Sequence, residues 1–199
     1  MTGSTEDERT RGADSGDRTT VLVVEDDADL AALYAEWLAD DHEVLVAHSG
    51  REALSVLADE AVDVALLDRR MGGVSGDEVL DAIRSRGHDC RAAMVTAVDP
   101  GFEVVDMSFD DYLSKPVRRE ELRETVAGLA ALSEYSALQL ELSSKRVRRS
   151  VLRGEKRPAE LEESERFERL ETEIAALEER LSNIEADHPE YESLFDRIR

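Results

Sequence analysis

The stretch Ala61-Val62-Asp63-Val64-Ala65-Leu66-Leu67-Asp68 ends an unbroken apolar run in a carboxylate. Apolar residues from Val64 to Leu67, with no polar alternation, describe a strand covered on both faces, as in a parallel sheet. In an open α/β fold, ligands gather at the carboxyl ends of the strands, and Asp68 falls at such an end. Three other segments repeat the pattern. Val21-Leu22-Val23-Val24 runs into Glu25-Asp26-Asp27, Ala92-Ala93-Met94-Val95 into Thr96, and Tyr112-Leu113 into Lys115-Pro116. The strand ends therefore bring carboxylates, a hydroxyl and an ammonium to one edge of a sheet.

The segments between them carry helical spacing. Asp27 or Asp29 starts a helix running to about residue 39, with Leu30, Leu33, Trp37 and Leu38 inward. Residues 43–47 form the second strand. Ser49, with Glu52 three residues on, makes a capping box for a helix that buries Ala53, Leu54 and Leu57. A loop over 71–76 leads to a helix at 77–85 burying Val79, Leu80 and Ile83, and residues 91–95 form the fourth strand. Repeated β-α units of this length require right-handed crossovers and a doubly wound α/β sheet.

The order and spacing of Glu25-Asp26, Asp68, Thr96 and Lys115-Pro116 resemble the receiver domain of two-component response regulators over residues 19–132. The resemblance implies a flavodoxin-like, five-stranded parallel sheet of order 2-1-3-4-5. It also implies a chemistry. Asp68 is the nucleophile that accepts a phosphoryl group from a sensor histidine kinase, giving an acyl phosphate. Mg²⁺ or Mn²⁺ offsets the charge of phosphate facing carboxylates, bound by Asp26 and Asp68, by Glu25 through water, and by the backbone carbonyl of Arg70. Lys115, aimed inward by a cis bond to Pro116, meets the phosphoryl oxygens. Thr96 and Tyr112 form the switch that responds to phosphate. The chain is then a phospho-acceptor, not an enzyme acting on a separate substrate.

Several positions depart from the family pattern. Glu25 replaces the commoner aspartate. Gly72 stands where proline is usual, which leaves the loop after Asp68 less restrained. Arg69-Arg70 places guanidinium groups beside the site, to pair with Glu25, with phosphate or with surface carboxylates. The stretch 96–115 is about one helical turn short and carries Asp99-Pro100-Gly101, a turn signal, so its helix should be confined to 102–107. Asp27 caps the first helix rather than binding metal.

Composition narrows the setting. The formal charge is −22, from 47 acidic and 25 basic residues. Such acidity opposes general attraction to nucleic acid or anionic membrane and suits a halophilic chain in concentrated salt, where repulsion is screened. The lone Cys90 excludes an internal disulfide and fits a reducing compartment. No apolar run has the length of a membrane span, and the N-terminus lacks the apolar core of a signal peptide. These features point to the cytoplasm. Residues 1–18, almost without apolar side chains, read as a disordered leader.

The last third, residues 133–199, is an all-α tail. A helix at 117–132, with Leu122, Val126 and Leu129 inward, either continues or restarts at Ser133, reaching about residue 152. A second helix at 160–186 spaces Phe167, Leu170, Ile174, Leu177, Leu181 and Ile184 in steps of three and four, a heptad seam. That seam packs either on the preceding helix, as a hairpin, or on a second subunit as a coiled coil, giving a homodimer. Asp187-His188-Pro189 then breaks the helix before a final turn with Tyr191, Leu194, Phe195 and Ile198. Receiver plus tail resembles the HalX-type regulators of haloarchaea, on Leu67-Asp68-Arg69-Arg70-Met71, Thr96-Ala97-Val98-Asp99-Pro100, Asp110-Asp111-Tyr112-Leu113 and Leu161-Glu162-Glu163-Ser164-Glu165.

One basic stretch runs against the overall charge. Lys145, Arg146, Arg148, Arg149, Arg153, Lys156 and Arg157 lie close together. They fit DNA or RNA phosphates, the acidic segment 160–173 across a hairpin, or a solvated face. No helix-turn-helix, zinc-ligand or aromatic RNA-binding motif accompanies them, so output through a protein partner or second subunit is favoured over DNA contact.

Overall fold

Buried side chains alternate along the central strands between two apolar clusters, one on each face of the sheet. The computed structural model describes residues 18–85, 90–97, 107–192 and 195. Its parallel strands are β1 (Thr20–Val24), β2 (Glu43–Ala47), β3 (Val64–Leu67), β4 (Arg91–Thr96) and β5 (Asp111–Ser114), in the order β2-β1-β3-β4-β5. Val21, Val23, Val64, Leu66, Ala93 and Val95 face α1 (Ala28–Leu38) and the first half of α4 (Arg119–Glu155). Leu22, Val24, Ala65, Leu67, Ala92 and Met94 face α2 (Gly50–Asp59) and α3 (Gly76–Ser85). Covering both faces explains why the strands read as continuous apolar runs.

Local signals set most helix starts. Asp27 caps α1 by accepting the N–H groups of Asp29 and Leu30 at 3.0 and 3.1 Å. Ser49 Oγ accepts the Glu52 N–H at 3.3 Å. The return bond differs from the expected capping box, because the Glu52 carboxylate takes the N–H of His48 at 2.8 Å, one residue before the cap. The inner face of α1 also differs. Ala31, Tyr34 and Leu38 are buried, whereas Leu33 is 39 % exposed. One residue turns a helix by about 100°, so the Tyr34 stripe that meets the sheet carries Leu33 away from it. The leader at 1–17, the Asp99-Pro100-Gly101 turn, the short helix expected at 102–107 save Met107, and Leu194 and Ile198 lie outside the described residues.

The tail grows directly out of the receiver. α4 runs unbroken for 37 residues, through Ser133 and Gly154, a length of about 55 Å. It is followed by α5 (Pro158–Glu162), α6 (Glu165–Asp187) and a single 3-10 turn, Pro189–Tyr191. The one helix expected over 160–186 is thus two. The chain breaks at Glu163, and Ser164 caps α6 by accepting the Phe167 N–H at 3.3 Å. The heptad seam of α6 is satisfied within the chain. Ile174, Leu177 and Leu181 are buried in one apolar cluster with Tyr135, Leu138 and Leu142 of α4, and that cluster is continuous with the sheet core. The tail is a hairpin sharing its first helix with the receiver.

Candidate functional site

Strand register assembles the site. Val24 pairs with Leu67, so the next residues, Glu25 and Asp68, stand side by side. Leu67 pairs with Met94, and Thr96 with Ser114, which brings Thr96 and Lys115 alongside them. Backbone bonds carry the ladder past the strand ends: Glu25 N–H to the Ala47 carbonyl at 3.0 Å, Asp68 N–H to Val24 at 2.9 Å and Lys115 N–H to Thr96 at 2.9 Å. The Lys115–Pro116 bond is cis. Lys115 Nζ donates to Glu25 Oε2 at 2.5 Å and to Asp68 Oδ2 at 2.7 Å.

Glu25, Asp68 and Thr96 are buried, which is unusual for polar side chains unless they are paired. Burial is the largest influence on Glu25 and raises its pKa above the ordinary glutamate value; the hydrogen bond and charge of Lys115 oppose it without cancelling it. Burial also acts to lower the pKa of the Lys115 ammonium. The hydrogen bonds and charges of Asp68 and Glu25 together outweigh that effect, leaving Lys115 above the usual lysine value. Asp26 is exposed beside them, and one carboxylate oxygen from each of Glu25, Asp26 and Asp68 lies within 4.8 Å of the other two. Three converging carboxylates with no sulfur or imidazole form a donor set of the kind that hard divalent cations take.

The loop after Asp68 holds this edge in shape. A Cβ on Gly76 would meet the Asp68 carbonyl oxygen at 2.2 Å, and one on Gly50 would meet the Val74 carbonyl oxygen at 2.3 Å. Only glycine permits those approaches of α3 and α2 to the loop. Gly73 has φ of 85°, the left-handed region, while a Cβ on Gly72 would meet nothing within 4 Å. Asp68 Oδ1 accepts the Arg70 N–H at 3.2 Å. Arg69 Nε donates to Asp77 Oδ2 at 3.1 Å, an ion pair to the first turn of α3. Cys90, expected to pack rather than react, is buried, and burial pushes its thiol up to about 12.

A second feature escaped sequence reasoning. Half-buried Tyr112 lies with its ring 5.7 Å from that of Phe109. Its neighbour Asp111 accepts the Tyr112 N–H through Oδ1 at 2.8 Å and the Tyr191 hydroxyl through Oδ2 at 3.0 Å. The 3-10 turn Pro189–Tyr191 is thereby tied to β5, next to Tyr112. Gly128 makes room: a Cβ there would meet the Tyr191 ring at 2.1 Å. The available signal was a glycine inside a helix, which costs about 1 kcal/mol against alanine and so asks for a packing reason. Its partner, far along the chain, left no signal.

The basic stretch faces α6. Lys145 binds Glu173 at 2.7 Å and Glu141 at 3.4 Å, and Arg146 binds Glu178 at 2.8 Å. Arg149 and Arg153 share Glu171, at 3.3 and 2.9 Å. Arg157 pairs with Glu160 at 2.9 Å. Of the five candidate nucleic-acid contacts, Lys145, Arg146, Arg149 and Arg153 thus hold the hairpin together, while Arg148 is exposed and stands outside these pairs.

Residues 21–127 match the family model of the response regulator receiver domain. The chain belongs to the response regulators. Residues 131–195 match the HalX domain, whose start lies inside α4. Among relatives of this receiver, a candidate transcriptional regulator of Haloferax volcanii is 52 % identical over 118 residues, covering 59 % of this chain and 20 % of that protein. The response regulator MprA of Mycolicibacterium vanbaalenii is 36 % identical, covering 78 % of this chain and 71 % of that protein. The transcriptional regulatory protein CpxR of Escherichia coli is 34 % identical, covering 60 % and 52 %. The chain therefore spans one fifth of the first relative's length and about half of CpxR's. Among solved structures, the Thermotoga maritima response regulator TrrA, crystallised in complex with Mg²⁺–BeF, superposes with a TM-score of 0.51 at 32 % identity, covering 56 % of this chain and 98 % of that one. The receiver domain of a candidate LuxO repressor from Vibrio parahaemolyticus gives 0.55 at 26 %, covering 59 % and 93 %. The protein is a two-component response regulator with a receiver of the parallel five-stranded type and a helical HalX tail. Among the described residues, no helix is long and apolar enough to cross a membrane.

Proposed function

We propose that Asp68 accepts a phosphoryl group from the phosphohistidine of a sensor kinase in the cytoplasm, and that the resulting acyl phosphate resets the receiver and its tail. An Asp68 carboxylate oxygen attacks phosphorus. The P–O bond forms as the P–N bond breaks, and the leaving imidazole nitrogen keeps the electron pair and takes a proton. Glu25, Asp26, Asp68 and the Arg70 carbonyl would hold Mg²⁺ or Mn²⁺, which supplies charge neutralisation at the phosphoryl oxygens when bound. Lys115 would exchange its bond to Asp68 for one to a phosphoryl oxygen. The buried Thr96 hydroxyl would donate to another, and Tyr112 would turn inward behind it.

The observation that carries this reading is the ammonium of Lys115 shared by two buried carboxylates at the strand edge. The TrrA structure supports it, because that relative was crystallised in complex with Mg²⁺–BeF. Intact-mass spectrometry after incubation with acetyl phosphate and Mg²⁺ tests it. The native chain should gain one phosphoryl group and Asp68→Asn none; labelling that persists in Asp68→Asn would sink the assignment.

Output through protein contact is favoured, since four of the five cations that would meet DNA phosphates are engaged with α6. A second reading, regulation of transcription by direct DNA contact, takes its support from relatives bearing that name. DNA capture by the full chain that appears with beryllofluoride and Mg²⁺, and is lost on neutralising Arg146, Arg148 and Arg149, would favour it.

A further inference from the structure

The turn Pro189–Tyr191 is seated on the receiver itself. Tyr191 is buried in the apolar cluster that also holds Leu113 of β5 and Leu129 of α4. A Cβ on Gly128 would meet its ring at 2.1 and 2.5 Å and its hydroxyl oxygen at 2.8 Å. The hydroxyl donates to Asp111 Oδ2 at 3.0 Å, while Oδ1 of the same carboxylate accepts the Tyr112 N–H at 2.8 Å. Beside this contact the junction stays open. A cleft of about 640 Å³ runs between β5, α4 and the end of α6, lined in part by Leu113, Thr125, Glu121, Glu124 and Asp187. The turn has room to leave its seat without unpacking the α4–α6 seam at Tyr135, Leu138 and Leu142.

The strand beneath the turn leads straight to the phosphorylation site. β5 is an edge strand, paired with β4 on one side. Its successive side chains point to opposite faces. Asp111 and Leu113 meet Tyr191 on one, and Tyr112 meets Phe109 on the other. Lys115 follows β5 directly, about 13 Å along the strand from Asp111. Its Nζ is bonded to Asp68 and Glu25. A seated turn and a Lys115–Asp68 bond thus hold the two ends of one short strand.

We infer that the turn is a latch: seated on β5 and α4, it holds that strand in the arrangement in which Lys115 binds the Asp68 carboxylate, and a phosphoryl group on Asp68 opposes it. This rests on the reading of Asp68 as the phospho-acceptor. A phosphoryl oxygen that takes Lys115 from Asp68, and a Tyr112 that turns inward, both shift the β5 backbone to which Asp111, and through it Tyr191, is tied. Coupling between two sites is reciprocal. Unseating the turn therefore favours a phosphoryl mimic at Asp68 by the same factor that the mimic favours unseating. One hydrogen bond of ordinary strength sets the ceiling of its own share at about tenfold.

Two measurements on the full chain in molar potassium chloride test this. Fluorine NMR follows the binding of beryllofluoride with Mg²⁺, and hydrogen exchange read by mass spectrometry follows peptides over 187–192. Beryllofluoride should speed exchange at 187–192 in the native chain. Tyr191→Phe and Gly128→Ala should each bind it about two- to tenfold more tightly, with native helicity by circular dichroism. The second variant puts a methyl group where the ring sits, yet favours the helix that carries it. Exchange at 187–192 that ignores bound beryllofluoride, or a native or weaker affinity in either variant, overturns the latch and leaves the Asp68 reading standing. A native chain that binds no beryllofluoride, or an Asp68→Asn chain that binds it equally well, overturns that reading and the latch with it.

Discussion

Two lysines in this molecule each bridge two carboxylates, with opposite consequences. Lys115 binds Glu25 and Asp68 in the buried strand edge; Lys145 binds Glu173 and Glu141, whose side chains are more than half exposed. Burial raises the pKa of Glu25 despite its ammonium partner, whereas the hydrogen bond and charge of Lys145 lower that of Glu173. The same pair of groups is buried and poorly solvated in one place and a solvated fastener between helices in the other. What separates them is how much water each carboxylate keeps.

The largest effect that would sharpen this contrast is removal of the buried ammonium. Lys115→Ala leaves two carboxylates side by side and should cost about 3 kcal/mol in denaturant unfolding. A loss no greater than that of Lys145→Ala would break the comparison. An intermediate effect lies between the two regions, at the Tyr191 hydroxyl on Asp111. Tyr191→Phe should cost about 1 kcal/mol by the same measurement.

A smaller effect shows as pH dependence of the thermal midpoint, and the signs are opposed. Glu25, raised above 4.5, contributes stability that is full below that value and lost as pH rises through its higher folded value. Glu173, lowered below 4.5, contributes stability that is full above that value and lost as pH falls through its lower folded value. Glu25→Gln should therefore flatten the profile on the alkaline side of 4.5, and Glu173→Gln on the acid side. The smallest loss is expected from Lys145→Ala itself, and it should shrink further as potassium chloride is raised, as solvated ion pairs do.

The same division explains what the sequence disclosed. Apolar runs ending in Glu25, Asp68, Thr96 and Lys115 were legible because strands covered on both faces must be continuously apolar, and parallel register then aligns their ends. Asp27 and Ser49 announced their helices through local caps. The tail was less legible. α4 outruns the expected end at about residue 152 and closes at Glu155, just past Gly154, and the break before Ser164 gave only the weak signal of a capping serine. The exposure of Leu33 reflects which stripe of α1 meets the sheet, something tertiary packing decides. The bond from Tyr191 to Asp111 joins distant segments through single side chains that no periodicity marks. Whether the seam of α6 met its own chain or another was open on spacing alone, since a heptad repeat is satisfied equally by either.

The most direct test of the account locates the phosphoryl group chemically. The native chain, labelled by acetyl phosphate with Mg²⁺, would be treated with borohydride, which reduces an acyl phosphate to an alcohol, and then mapped by peptide mass spectrometry. Homoserine at position 68 alone is the predicted result. Reduction at Asp26, at Glu25 or at any other carboxylate, or none at all, would contradict the assignment of Asp68 as the acceptor around which this strand edge is built.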